Sequence, residues 1–325
     1  MRKISTVKVL LLFILFCAAV TAGVTIGAVN IPLVELFSPQ NRQILLLRSS
    51  RVILAVLSGA GLATSGIALQ AVLRNPLAEP YLLGTSSGAG LGAVSAVALG
   101  ISGLFLPLSA FIGALGATFV VYALARQRGR IPLQSLILSG VIVSVGLSAV
   151  IIFLLSIARS DALHGQMWWL WGSLQVYDKR LLLMVACLVI PGIAFLYFFS
   201  RDLNAISLGE EEAMHLGIHT ETLKKIIFFV TSLITAGLVC VCGTIGFVGL
   251  IIPHTVRLMV GSNHKVLIPV SCVAGAVFMV VSDLLSRKLF APLEIPVGVI
   301  TAVTGAPLFI ILLKSNHLHR GGGGG

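Results

Sequence analysis

Between Pro80 and Ala125 the chain runs for 46 residues without one Asp, Glu, Lys or Arg. A soluble domain is about 25% charged, so a run of this length has no way to face water. Seven further charge-free runs follow the same pattern: 9–34, 52–73, 131–158, 181–200, 226–256, 266–282 and 295–313. Over 325 residues only 10% are charged and 57% are hydrophobic, and the mean hydropathy is +1.06. These features exclude a soluble globular domain, a disordered chain and a nucleic-acid binder. The chain reads as an all-α integral membrane protein.

A helical crossing needs about 20 apolar residues. The run 80–125 therefore holds two crossings joined by a short turn. The run 226–256 is too long for one crossing and short for two. Pro253 near its end predicts a full helix to about Gly249, then a short half-helix from Pro253 to Gly261. The sum is ten membrane helices, one of them short. With the N-terminus inside, 14 of the 22 Lys and Arg fall on the cytoplasmic side and eight outside, so both termini are expected inside. The surplus of cations, +11 overall, fits cytoplasmic loops against anionic lipid heads. Residues 1–320 read as one polytopic domain. The N-terminal run, continuing to Val34, is longer than a signal core and predicts a retained helix. Gly321 to Gly325 reads as an appended glycine tail.

The five cysteines lie in apolar runs and read as packing residues. Gly84, Gly88 and Gly92 are spaced by four, and Gly243, Gly246 and Gly249 by three, as in ridges where helix backbones approach closely. No Gly-Lys pair occurs, so the chain has no Walker-type ATP site of its own. Seven scattered histidines form no metal or acid–base constellation. Asp283 is the one acid inside an apolar span, and Arg287 four residues on predicts a local ion pair. No proton or sodium relay is legible.

The segment Arg201 to Lys225 is soluble in character. Ser207, Leu208, Gly209 and Glu210 read as a capping box, with Glu210, Glu211 and Glu212 in the first turn. Ala213, Met214 and Leu216 read as an apolar stripe, and Gly217 as the stop. The prediction is a short helix on the cytoplasmic face. It is either a surface loop lying on its own protein or a docking helix for a cytoplasmic motor.

Several motifs occur in order: Arg74-Asn75-Pro76-Leu77-Ala78-Glu79-Pro80, Leu83-Gly84-Thr85-Ser86-Ser87-Gly88-Ala89-Gly90, Trp171-Gly172-Ser173-Leu174, Leu203 to Glu211, Gly246 to His254, Ile295 to Thr301, and Gly305-Ala306-Pro307. Over residues 48 to 313 they resemble the FecCD-type permeases of type II ABC importers, which serve iron–siderophore, haem and cobalamin uptake. The resemblance implies a homodimer, two cytoplasmic ATPase subunits carrying ATP and Mg, and an extracytoplasmic binding protein in a bacterial or archaeal cytoplasmic membrane. It implies ATPase coupling through residues 207–217, binding-protein docking by Arg48, Arg51 and Arg287, and a cytoplasmic gate at Asn75, Leu77, Leu133 and Gln134. Ser139, Gly140 and Ser144 are candidates for the pathway lining, or for helix packing. Ferric siderophore is the first expectation for the cargo, with haem and cobalamin as alternatives; His164 and Met167 could touch haem iron. A carrier or channel working alone is the alternative of a different class.

Overall fold

The computed structural model describes residues 6–27, 31–127, 129–158, 160–176 and 178–321. In chain order its helices are α1 (Thr6–Thr25), the single turn α2 (Leu33–Leu36), α3 (Arg42–Val72), α4 (Thr85–Ala98), α5 (Phe105–Ala125), α6 (Leu133–Ser156) and α7 (Ser160–Leu170). They continue with α8 (Lys179–Phe198), α9 (Ser200–Leu208), α10 (Glu210–His215), α11 (Thr220–Cys242), α12 (Val248–Val260), α13 (His264–Lys288) and α14 (Val297–Gly321). Six of these, α3, α5, α6, α8, α11 and α13, are long and apolar enough to cross a membrane. Shorter apolar stretches lie in α1, α12 and α14. The glycine tail beyond Gly321, the cations Arg2, Lys3, Arg128 and Arg159, and the side chain of His164 lie outside the described residues.

Helix α3 is the hub. Every residue from Leu57 to Val72 is buried, and most are Gly, Ala, Ser or Thr. Small residues on all sides let neighbouring backbones come close, which in lipid supplies packing that apolar burial alone does not. A Cβ at Gly59 would strike the Gly275 carbonyl of α13, and one at Gly66 the Gly249 carbonyl of α12. Gly88 and Gly92 of α4 meet α5 at Gly113 and Ser109 in the same way, as the spacing predicts. Gly84 differs from them, because at φ +75° it turns the chain into α4.

Three expectations change. The run 52–73 marks only part of α3, which extends back to Arg42. Charges end an apolar run without ending a helix, so Arg48 and Arg51 sit on helix rather than in a loop. The break in 226–256 falls at 243–247, not at Pro253. Gly243 ends α11 at φ +66°, Phe247 opens α12 at φ +70°, and α12 passes straight through Pro253. Proline leaves the carbonyl four residues back without its helix donor. Here that carbonyl, Gly249 O, accepts from Gln70 Nε2 at 3.3 Å, so the helix continues. Gly243, Gly246 and Gly249 accordingly form a turn and a helix start, not one ridge.

Candidate translocation pathway and coupling surface

Two irregular connections meet inside the bundle. One is 73–84, between α3 and α4; the other is 243–247, between α11 and α12. Phe247 N–H and Ile245 N–H have no helix carbonyl to bond here, and buried donors are costly to leave unmade. Side chains supply the missing partners. The Glu79 carboxylate accepts from Phe247 N–H at 2.7 Å. The Tyr81 hydroxyl accepts from Ile245 N–H at 3.1 Å. Ser86 and Thr244 share a hydroxyl–hydroxyl bond of 2.8 Å. Gln70 also donates to Ala78 O at 3.4 Å and accepts from Arg257 at 3.1 Å. Glu79 and Gln70 carry this junction; in the sequence Glu79 reads as part of the Arg74–Pro80 motif and as the charge before the run 80–125, with no role of its own.

Against this junction lies a cavity of about 520 Å³, lined by Tyr81, Ser86, Ser87, Ser144, Ser148 and Thr244, with Ile151, Met167 and Trp171 among its apolar walls. No charged side chain lines it. Of the three lining candidates, Ser144 is here. Gly140 instead packs on the Leu82 carbonyl, where a Cβ would not fit, and Ser139 is not in the lining.

At one end of the bundle, α9 and α10 form an elbow. Ser207 does not cap: it lies in the last turn of α9 and donates to Leu203 O at 2.6 Å. Gly209 is the N-cap of α10, and the Glu212 carboxylate folds back into the space a Cβ at Gly209 would take. The Gly217 stop is as expected. Gly217 N–H bonds Met214 O at 2.9 Å and Ile218 N–H bonds Ala213 O at 3.0 Å, the Schellman arrangement. The predicted stripe is split. Ala213 is fully buried, whereas Leu208, Met214 and Leu216 are 71%, 55% and 67% exposed, beside exposed Glu211 and Glu212. One turn of helix cannot put 213 and 214 on one face.

Both halves of the elbow are fastened to long helices. Asn204 of α9 accepts from His264 N–H at 2.9 Å and donates to Asn263 at 3.1 Å. Glu210 of α10 pairs with Lys224 of α11 at 2.7 Å, and Glu221 joins at 2.9 Å. Sequence reading missed Asn204 and Lys224 in these roles. Leu133 shares a cleft of about 350 Å³ with Arg74, Glu210 and Lys224. Asn75, Leu77 and Gln134 are not in that lining: Asn75 Oδ1 accepts from Leu77 N–H at 2.9 Å, closing a turn.

At the opposite end the three predicted arginines come together, but inside the protein. Arg287 reaches Asp283 at 3.0 Å, as the spacing predicts, and donates to Ile26 O at 2.8 Å and Gly23 O at 3.0 Å. Arg48 donates to Thr25 O at 2.8 Å. Arg51 bridges Asp283 and Glu294. Arg48 and Arg287 are only 7% and 3% exposed. Their direct contacts are thus with helix-end carbonyls and buried acids rather than with an outside surface. Burial raises the Glu294 carboxyl, but the Arg51 charge and hydrogen bonds from Arg51 and Gln175 outweigh it and hold it below the usual range.

The FecCD transport family model matches residues 10–315, and the chain belongs to that family, the permeases of type II ABC importers. It is 41% identical to the cobalamin import permease BtuC of Halobacterium salinarum, over 86% of this chain and 76% of the relative. It is 35% identical to the hemin transport permease HmuU of Yersinia pestis, over 85% and 84%. A solved chain described as an inward-facing conformation of an ABC transporter assigned to the metal-chelate type matches at 33% identity with a TM-score of 0.86, covering 95% of this chain and 99% of that one.

Proposed function

We propose that two copies of this chain form the pathway of an ATP-driven importer for a large metal chelate, with ten crossings per copy and both termini cytoplasmic. The hydroxyl-lined cavity beside the Glu79–Phe247 junction carries this reading. Hydroxyls both donate and accept, so the lining suits a bulky cargo with a neutral hydrogen-bonding rim and holds no charge tightly. That favours a corrinoid, in keeping with the cobalamin relative, over haem, whose two carboxylates would lack a cation in the lining. A ferric siderophore with a neutral amide rim is the second reading, supported by the same lining. Accumulation uphill needs a motor, and ATP binding on two partner subunits would press on the exposed Leu208, Met214 and Leu216. Movement of the elbow passes to α13 through Asn204 and to α11 through Glu210–Lys224. α11 leads directly into the 243–247 break. At the outer end three guanidiniums against two carboxylates leave the cluster positive, which would steer an acidic binding protein even though Arg48, Arg51 and Arg287 are largely enclosed. The test is ATP-dependent uptake by the reconstituted importer of cyanocobalamin, haem and a ferric hydroxamate. Uptake of cyanocobalamin alone is expected; uptake of haem alone would overturn the cargo assignment.

A further inference from the structure

A second cavity, of about 370 Å³, opens on the side of the bundle between α5, α6 and α11. Its walls are almost wholly apolar: Leu83, Leu136, Phe119, Phe228 and Phe229 are prominent, and Tyr122 and Lys225 stand among them. Phe119 and Phe229 are 70% and 65% exposed, so the groove faces outward and is separate from the hydroxyl-lined cavity. Ser232 lines it too, 3% exposed, and its hydroxyl has no hydrogen-bond partner among the described residues.

The rim at the elbow end is basic. Lys225, near the start of α11, and Arg126 and Arg130, in the α5–α6 connection, are all exposed. The Glu221 carboxylate ties these two segments together by accepting from Ile131 N–H at 3.2 Å and pairing with Lys224 at 2.9 Å. Glu210 likewise pairs with Lys224. The nearby acids thus answer the inward lysine, Lys224, and Lys225 stands exposed in the groove lining. An apolar slot with a cationic mouth matches an acyl chain below a phosphate.

We propose that the α5–α6–α11 groove binds an anionic phospholipid of the cytoplasmic leaflet, one acyl chain lying over Phe119 and Phe229 and the headgroup on Lys225. The assignment rests on placing the elbow at the cytoplasmic face, as in the proposed importer. The bound lipid would sit one residue from Lys224, the residue that holds α10. Occupancy would then brace the start of α11, through which the elbow acts on the pathway.

The probe is phosphatidylglycerol carrying a photoreactive group on one acyl chain, added to the purified full-length permease in detergent, with labelled peptides mapped. Labelling concentrated on α5 and α11, and competed about fivefold better by phosphatidylglycerol than by phosphatidylcholine of the same chains, is expected; one basic residue near a surface charge is worth about that ratio. Lys225→Gln should remove the preference, and Ser232→Leu, which fills the slot without touching the rim, should lower labelling by both lipids. Equal competition by the two lipids, labelling spread over α8 as strongly as over α5, or cross-links joining two copies through the groove would each overturn the proposal. A Gln127→Cys variant, labelled from the inside of sealed vesicles, tests the orientation separately.

Discussion

At the scale of single residues, the buried polar groups are where chemistry and packing conflict most. Glu79 is one of them, a partly buried carboxylate that accepts from Phe247 N–H. Glu79→Gln keeps an acceptor and removes the charge, so its thermal unfolding in detergent should stay close to wild type. Glu79→Ala leaves a buried donor unmade, and a loss of about 1–3 kcal/mol is expected; equal stability of the two variants would remove Glu79 from the junction. Arg287→Ala leaves Asp283 with Arg51 as its remaining partner and removes the donor to the carbonyls of Gly23 and Ile26. A loss of about 1–3 kcal/mol is expected, as for buried groups left without a partner, seen as a lower unfolding temperature before any transport is assayed. Glu294 offers the pH handle. Its folded carboxyl is lowered, so its contribution is complete above its unfolded value, about 4.3, and drains away as pH falls through the folded value. Glu294→Gln should flatten that acid limb of the stability profile, and an unchanged limb would place the acid sensitivity elsewhere.

At the scale of elements, most helices were legible and their junctions were not. Charge-free runs locate the bodies of α5, α6, α8, α11 and α13 because lipid demands apolar length. They misplace the start of α3, because an arginine that finds an acid or a helix-end carbonyl stays in a helix. The sequence places the break at Pro253 rather than 243–247 because the signal for a helix stop is local, whereas the partner that lets α12 pass through, Gln70, lies 179 residues away. The elbow shows the same limit at shorter range. Three glutamates announce a helix start, but Gly209 rather than Ser207 makes it, and only the fold separates Ala213 from Met214. That separation has a measurable consequence. Met214→Asp with Leu216→Asp should abolish co-purification of the ATPase subunits while the permease unfolds at its normal temperature. Ala213→Leu, by contrast, should destabilise the fold itself, since the side chain has no room to enter. If both variants behaved alike, the elbow would not be a docking surface.

At the scale of the whole molecule, the described membrane interior keeps its charges in pairs or at junctions, and none forms a chain across the bilayer. A central relay is what a gradient-driven carrier requires. The permease alone in liposomes should therefore accumulate no cyanocobalamin under an imposed proton or sodium gradient, and accumulation without ATPase subunits would favour a stand-alone carrier. If the arginine cluster meets the binding protein as proposed, its docking, measured against ionic strength, should weaken as salt screens that positive end. Salt-insensitive docking would assign recognition to apolar contacts instead.

The arginines at that end also bear on how the protein is made. The last carbonyls of a helix have no partner within it, and in α1 they are answered by Arg48 and Arg287, 23 and 261 residues further along. During synthesis α1 is among the first helices to enter the bilayer, and it must wait through nearly all of translation for its second cap. Until α13 arrives, the far end of α1 has open hydrogen-bonding groups at the lipid boundary, where a water layer or a membrane chaperone must serve. Ribosome-bound chains that stop short of Arg287 should accordingly leave the Gly23 and Ile26 carbonyls without a side-chain donor, so an isotope-labelled carbonyl at either position should absorb at a higher infrared frequency than in chains that include Arg287. The bundle is complete only when one of its last helices reaches back to one of its first.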